Sequence, residues 1–209
     1  MRGVICLLFT ALLATAAQAA DLQVLVRTAK GQPVKDAVVT VYPAAEPAGG
    51  PIHFDWPYRL AQQNLMFDPF VLVVPVGALV AFPNRDPVRH QVYSFSPTHP
   101  FELKLYGKDE SRSVRFDKAG VVAVGCNIHD SMVAFIKVVD TPYAAKTDAT
   151  GLAVIHGAGP GPAALHVWHP YLKAPNNELV RAIALPRDGT AREAVVTDLR
   201  APPTHSMSY

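Results

Sequence analysis

A chain of 209 residues, half of them hydrophobic, can hold one large β domain or two small ones, each with its own core. Only 17% of residues are charged and the formal net charge is +2, so no basic excess points to nucleic acid as a partner. Nineteen prolines, spread along the whole chain, exclude long helices and suit sheet edges and turns.

The N-terminus reads as a targeting segment. Arg2 gives a positive start, Val4 to Leu13 is nearly unbroken apolar, and Ala17-Gln18-Ala19 is a small-x-small cleavage site. The apolar run is shorter than the roughly 20 residues a bilayer-spanning helix needs. The expectation is a signal peptide over residues 1–19, cleaved near Ala19, and a periplasmic or secreted product with no membrane span. Of the two cysteines, Cys6 leaves with that segment and Cys126 remains alone. A single thiol in an oxidising compartment makes no internal disulfide; it is buried, paired between chains, reactive or metal-bound.

Leu22, Val24 and Val26 alternate on one face, Gly31-Gln32-Pro33 is a turn, and Ala37 to Tyr42 is a second strand. Pro43 to Pro51 reads as a loop, and His53 to Gln63 fits no pattern. Strand signals then become dense: Phe70 to Val76, Ala78 to Phe82, His90 to Phe95, Phe101 to Leu105, Ser113 to Phe116, Val121 to Val124 and Met132 to Val139. About seven short strands at this spacing predict an all-β sandwich or barrel. Beyond Thr141-Pro142, further strands are predicted at Leu152 to Ile155, Leu165 to Trp168, Leu179 to Leu185 and Ala194 to Leu199. Residues 201–209 read as a loose tail.

The chemistry concentrates in Cys126-Asn127-Ile128-His129-Asp130-Ser131-Met132. A thiol, an imidazole and a thioether at i, i+3 and i+6, between two strands, form one tight loop able to aim three soft or borderline donors at one point. Blue-copper electron-transfer centres use two histidines, one cysteine and a weak axial thioether. The second histidine must come from elsewhere, and His90, at the head of a strand after the turn-rich Phe82 to Arg89, is the best candidate. Structural zinc takes four N/S/O ligands and seldom a thioether. Covalent haem needs a second cysteine, and His129 is a poor base for a cysteine nucleophile. His53, His99, His156, His166, His169 and His205 are scattered. Met66 and Met207 read as packing and tail residues, and Trp168 as core. Arg85, Asp86 and Arg89 form either a solvated turn or, through Asn84 or Asp86, a brace for the loop around His90.

These residues resemble a known family. Leu65 to Val139 is similar to a cupredoxin domain, a Greek-key β-sandwich, closest in its ligand loop to the amicyanins, which also use C-x2-H-x2-M. FPNRDPVRHQVYSFS, FELKLY and VGCNIHDSM followed by VVDTPYAAKTD resemble exported bacterial proteins labelled methylamine utilisation or plastocyanin-like. Such a label assigns no pathway, because the substrate chemistry lies outside this chain. The resemblance implies one type 1 copper per chain, with His90 and His129 as nitrogen ligands, Cys126 as thiolate and Met132 as axial ligand. It also implies that His129 lies near the surface as an electron port, with Ile128 in a docking patch. One position departs: Gln91 stands where small cupredoxins commonly carry a loop-bracing asparagine. The flanks, from Gly31 to Val39 and from Lys146 to Trp168, look like two halves of a carboxypeptidase-regulatory-like sandwich. The expected organisation is a first half-module at 21–58, a cupredoxin domain at 59–139 and a second half-module at 140–200.

The function these readings predict is one-electron transfer, with another exported redox protein as transient partner, such as a c-type cytochrome or a dehydrogenase. Two alternatives stand beside it: a copper carrier or sensor, and an interaction module with structural copper. An enzyme is least expected, since copper oxidases and nitrite reductases need a further copper site and no second constellation is present in the sequence.

Overall fold

The computed structural model describes residues 20–45 and 50–202. The segment read as a signal peptide, with Cys6, and most of the predicted tail, with His205 and Met207, lie outside the described residues. The chain is all-β. In order, the strands are β1 (Ala20–Thr28), β2 (Val38–Pro43), β3 (Ala61–Gln63), β4 (Met66–Asp68), β5 (Val71–Pro75) and β6 (Ala78–Pro83). Then come β7 (His90–Ser94), β8 (Phe101–Tyr106), β9 (Ser111–Phe116), β10 (Gly120–Gly125) and β11 (Val133–Val139). The last are β12 (Ala144–Lys146), β13 (Leu152–Ala158), β14 (Gly161–Trp168), β15 (Glu178–Leu185) and β16 (Thr190–Thr197).

The middle of the chain builds a five-stranded sheet in the order β5-β11-β10-β7-β8, with β6-β9 and β3-β4 as separate pairs. Val80 and Phe82 of β6 and Phe116 of β9 meet Val92, Val122, Val124 and Ile136 of the larger sheet in one buried core. The two ends of the chain build two other sheets, β13-β1-β16 and β12-β2-β14-β15. β1 pairs antiparallel with β13 and parallel with β16, while β2 pairs antiparallel with β12 and β14. Leu22, Val24 and Val26 on the buried face of β1 share a second core with Val39, Val41, Leu165 and Val167. A third cluster, including Val38, Phe54, Val71, Val73, Val139 and Trp168, joins the two.

The first two strands form where the alternation predicts them, but they fall in different sheets, so the turn at 31–33 is a corner between layers. Residues 34–37 are held there from afar. Thr147 Oγ1 donates to Val34 O (2.7 Å) and accepts from the Ala37 N–H (2.8 Å). At Gly151 only glycine fits: φ is +81°, and a Cβ would stand 2.4 Å from Val26 O. Met66, expected to pack, is instead 59% exposed. The two-residue period of β4 turns Phe67 inward and its neighbours out.

Candidate metal centre

β10 and β11 form an antiparallel pair whose last partners are Gly125 and Val133, so residues 126–132 close the hairpin as a seven-residue loop. The loop is tied internally: Cys126 N donates to Met132 O (3.3 Å), and Met132 N donates to His129 O (2.9 Å). β7 joins β10 through Gly125 opposite Tyr93. The pairing is antiparallel, so stepping back three residues from Tyr93 to His90 matches stepping forward from Gly125 into the loop. That register is what brings His90 level with residues 36 positions later. The approach at Gly125 is close, since a Cβ there would meet the Tyr93 ring at 3.0 Å.

Three of the four predicted ligands converge. His90 Nδ1 lies 3.7 Å from Cys126 Sγ, and His129 Nδ1 lies 3.8 Å from it. The two imidazole rings have centroids 4.9 Å apart. His90 and Cys126 are buried and His129 is partly exposed. Met132 is buried in the same core cluster as Cys126. Among the described residues this is the one group of three or more His, Cys, Asp or Glu donors that meet at a point.

Asp86 is not part of a solvated turn. It is buried, and its Oδ2 accepts a 2.8 Å hydrogen bond from His90 Nε2. A carboxylate on Nε2 selects the tautomer that turns the Nδ1 lone pair towards the sulfur. Asp86 is itself fixed by the Asn64 N–H on Oδ1 (2.6 Å) and the Leu65 N–H on Oδ2 (3.1 Å). Burial alone would push its carboxyl up. The hydrogen bonds from His90, Leu65 and Asn64 outweigh burial and hold it below its usual value. Asn84 Oδ1 accepts from Asp86 N (2.9 Å), and Asn84 Nδ2 donates to Val88 O and Tyr106 O. The approach to His90 is therefore braced by Asn84 and Asp86 together. Gln91 takes no part, because the alternation of β7 turns it outward, where it donates to Glu102 on β8.

Among the described residues the other histidines stay apart from the centre. His166 pairs with Glu178 at 3.4 Å, and His156 with Asp21 at 3.0 Å. His169 is buried beyond the end of β14, and Trp168 beside it is core.

Nitrogen and sulfur at bond lengths of about 2.05 and 2.3 Å from a shared ion, about 120° apart, stand about 3.8 Å from each other; at a tetrahedral angle they stand about 3.6 Å apart. The observed 3.7 and 3.8 Å fall within the spacing that two imidazole nitrogens and one sulfur take around a shared ion. The cluster His90, Cys126 and His129 is compatible with copper.

The chain matches no protein-family model and none of the curated proteins in sequence. Solved structures similar to it include a purple cupredoxin from Nitrosopumilus maritimus, at 20% identity over 39% of this chain and 98% of that one, with a TM-score of 0.36. A reduced amicyanin mutant aligns at 22% identity over 50% of this chain and 99% of that one, with a TM-score of 0.38. A copper-containing nitrite reductase from Thermus scotoductus aligns at 24% identity over 56% of this chain and 28% of that one, with a TM-score of 0.39. These three are two cupredoxins and one enzyme, each aligned at low identity and over part of this chain. Among the described residues no helix is long and apolar enough to cross a membrane.

Proposed function

We propose that this chain is an exported mononuclear type 1 copper protein that carries single electrons between redox partners and is not itself a catalyst. The ligands in this reading are His90, Cys126 and His129, with Met132 axial. The observation that carries it is the placing of both histidine Nδ1 atoms within 3.8 Å of the Cys126 sulfur, at separations that suit donors sharing one metal ion. When bound, copper supplies one-electron chemistry between Cu(I) and Cu(II).

The chain's own residues do the rest. The closed hairpin loop and the Asn84–Asp86 brace hold the donors in place before any metal arrives, so little reorganisation accompanies a change of charge. The surrounding apolar cluster keeps water from the thiolate. His129, partly exposed beside the half-exposed Ile128, offers the contact edge to a partner. That partner is an exported c-type cytochrome or dehydrogenase, met through a small transient interface. Residues 21–58 and 140–200 read as one split sandwich module with the copper domain, 59–139, inserted between its halves. The pairing of β1 with β13 and β16, and of β2 with β12 and β14, supports that division.

The test is the visible absorption and EPR spectrum of the Cu(II)-loaded protein beside Cys126→Ser. The expected result is an intense blue thiolate-to-copper band with narrow copper hyperfine splitting, both lost in the variant. A colourless protein that binds zinc as readily as copper would sink the reading.

A further inference from the structure

Among the described residues every non-glycine residue with a positive φ is asparagine or aspartate, except Leu65 at +56°. Asparagine and aspartate tolerate the left-handed region; a leucine there is an outlier. Leu65 shares a turn with Asn64, at φ +57°. The turn joins β3 to β4, whose pairing ends at Gln63 opposite Met66. A two-residue hairpin turn with both φ values positive favours Asn-Gly, because its second position suits a residue without a Cβ. With leucine in that place, the turn carries strain that glycine would remove.

That turn is held from outside. The hydrogen bond of a β-turn joins its first and last residues, so the central N–H groups need another acceptor or water. Both go to one carboxylate: the Asn64 N–H to Asp86 Oδ1 (2.6 Å) and the Leu65 N–H to Asp86 Oδ2 (3.1 Å). The same Oδ2 accepts from His90 Nε2 (2.8 Å). The base of the hairpin is anchored separately. Gln62 is fully buried and bridges to Asn84, and its main-chain oxygen accepts from Arg85 N (2.9 Å). Phe67 is buried in the core cluster that contains Cys126. Only the tip is exposed, at Asn64, Leu65 and Met66.

We propose that the hairpin tip is a positioning element of the metal centre: the turn at 64–65 and the His90 ring share Asp86, so closure of the tip and metal binding at His90 Nδ1 favour each other. The inference rests on the reading of His90 as a ligand. With the tip closed, two main-chain donors fix the Asp86 carboxylate, and its Oδ2 fixes the ring with Nδ1 towards the sulfur. With the tip lifted and the base still docked, the carboxylate loses both donors and the ring loses a fixed acceptor. The closed form therefore presents the better-ordered ligand. A metal that prefers it raises the closed population by the ratio of its two affinities. The strain at Leu65 opposes closure and brings the two forms nearer in free energy.

Amide hydrogen exchange read by NMR on the full mature chain tests this, metal-free and in the diamagnetic Cu(I) form. The Cu(I) sample is made by reducing Cu(II)-loaded protein whose blue thiolate band has first been recorded. The Asn64 and Leu65 amides are expected to gain about 10–100-fold in protection on loading, the range by which an orienting partner alters metal affinity. Amides of β15, in the other core, are expected to stay within about twofold. Leu65→Gly is expected to raise protection of the metal-free tip about fivefold, by removing left-handed strain. In Asp86→Ala the gain on loading is expected to fall to about twofold or less, because the shared acceptor is gone. With the blue band present, unchanged tip protection overturns the proposal and leaves the copper reading standing. A gain shared equally by β15 overturns it as well, since that is global stabilisation. So does a gain that survives in Asp86→Ala, or a Leu65→Gly tip no better protected than the parent. Absence of the blue band removes the copper reading and this inference with it.

Discussion

Replacing Asp86 with alanine takes one acceptor from three donors: His90 Nε2–H and the main-chain N–H groups of Asn64 and Leu65. His90 is fully buried, so its N–H finds no water in exchange, and an orphaned buried donor costs about 1–3 kcal/mol. Leu65 is 45% exposed and Asn64 is also exposed, so water takes over there at about 1 kcal/mol or less in all. Removing a buried carboxylate returns part of its desolvation cost. The net expected loss is about 2 kcal/mol in urea unfolding of the metal-free protein. Copper affinity, read by competition with a chelator, is expected to fall by about 10–100-fold, the usual effect of deleting a group that orients a ligating histidine. Loss of the carboxylate also weakens the imidazole as a donor to Cu(II), so the reduction potential is expected to rise. Asp86→Asn keeps an oxygen that accepts from Nε2–H and is expected to lose less on both measures. If Asp86→Ala unfolds within about 0.5 kcal/mol of the parent and keeps its copper affinity within about threefold, the bracing argument is wrong.

Two further outcomes follow from buried polar groups away from the centre. Thr147→Val keeps the shape of the side chain but leaves Val34 O and the Ala37 N–H unpaired in a site 1% exposed. Urea unfolding is expected to register a loss of about 2–4 kcal/mol, and a loss under about 1 kcal/mol would mean that the two groups find other partners. His169 is buried with Nδ1 accepting from the Tyr171 N–H (3.2 Å), so it folds as the neutral ring. Burial pushes it down from 6.5 to about 4, against a small opposing pull from Asp36. The folded value lies below the unfolded one, so its contribution is full above about pH 6.5 and is lost as pH falls towards about 4. The gap between 6.5 and about 4 corresponds to about 3 kcal/mol at most over that window. His169→Gln is expected to flatten the slope of stability against pH between these limits, and equal slopes in parent and variant would refute the assignment.

Local spacing is readable without a fold. Cys126, His129 and Met132 lie within seven residues between two β-branched runs, and any tight loop over that span keeps them together. The buried faces of β1 and β7 are equally local, because side chains alternate with a period of two whatever the strand pairs with. Partners distant in sequence are different. His90 stands out from the other histidines through its turn-rich approach and its family resemblance, but only the register of β7 on β10 sets it against Cys126. The role of Asp86 stays divided between solvated turn and brace until the chain at 64–65 folds over it. Gln91 shows the converse: its position suggests a brace, and the pleat turns it to solvent.

An all-β chain with a donor loop at 126–132 follows from contacts a few residues apart, which is why both are legible in the residue pattern. Tertiary structure alone decided which strands meet. β1 joins β16 from the far end of the chain, Thr147 staples 34–37, and the turn at 64–65 closes over Asp86. Hydrophobic pattern says which face of a strand is buried, but it does not say against what. That choice belongs to sheet pairing and register, which depend on the whole chain closing its cores at once.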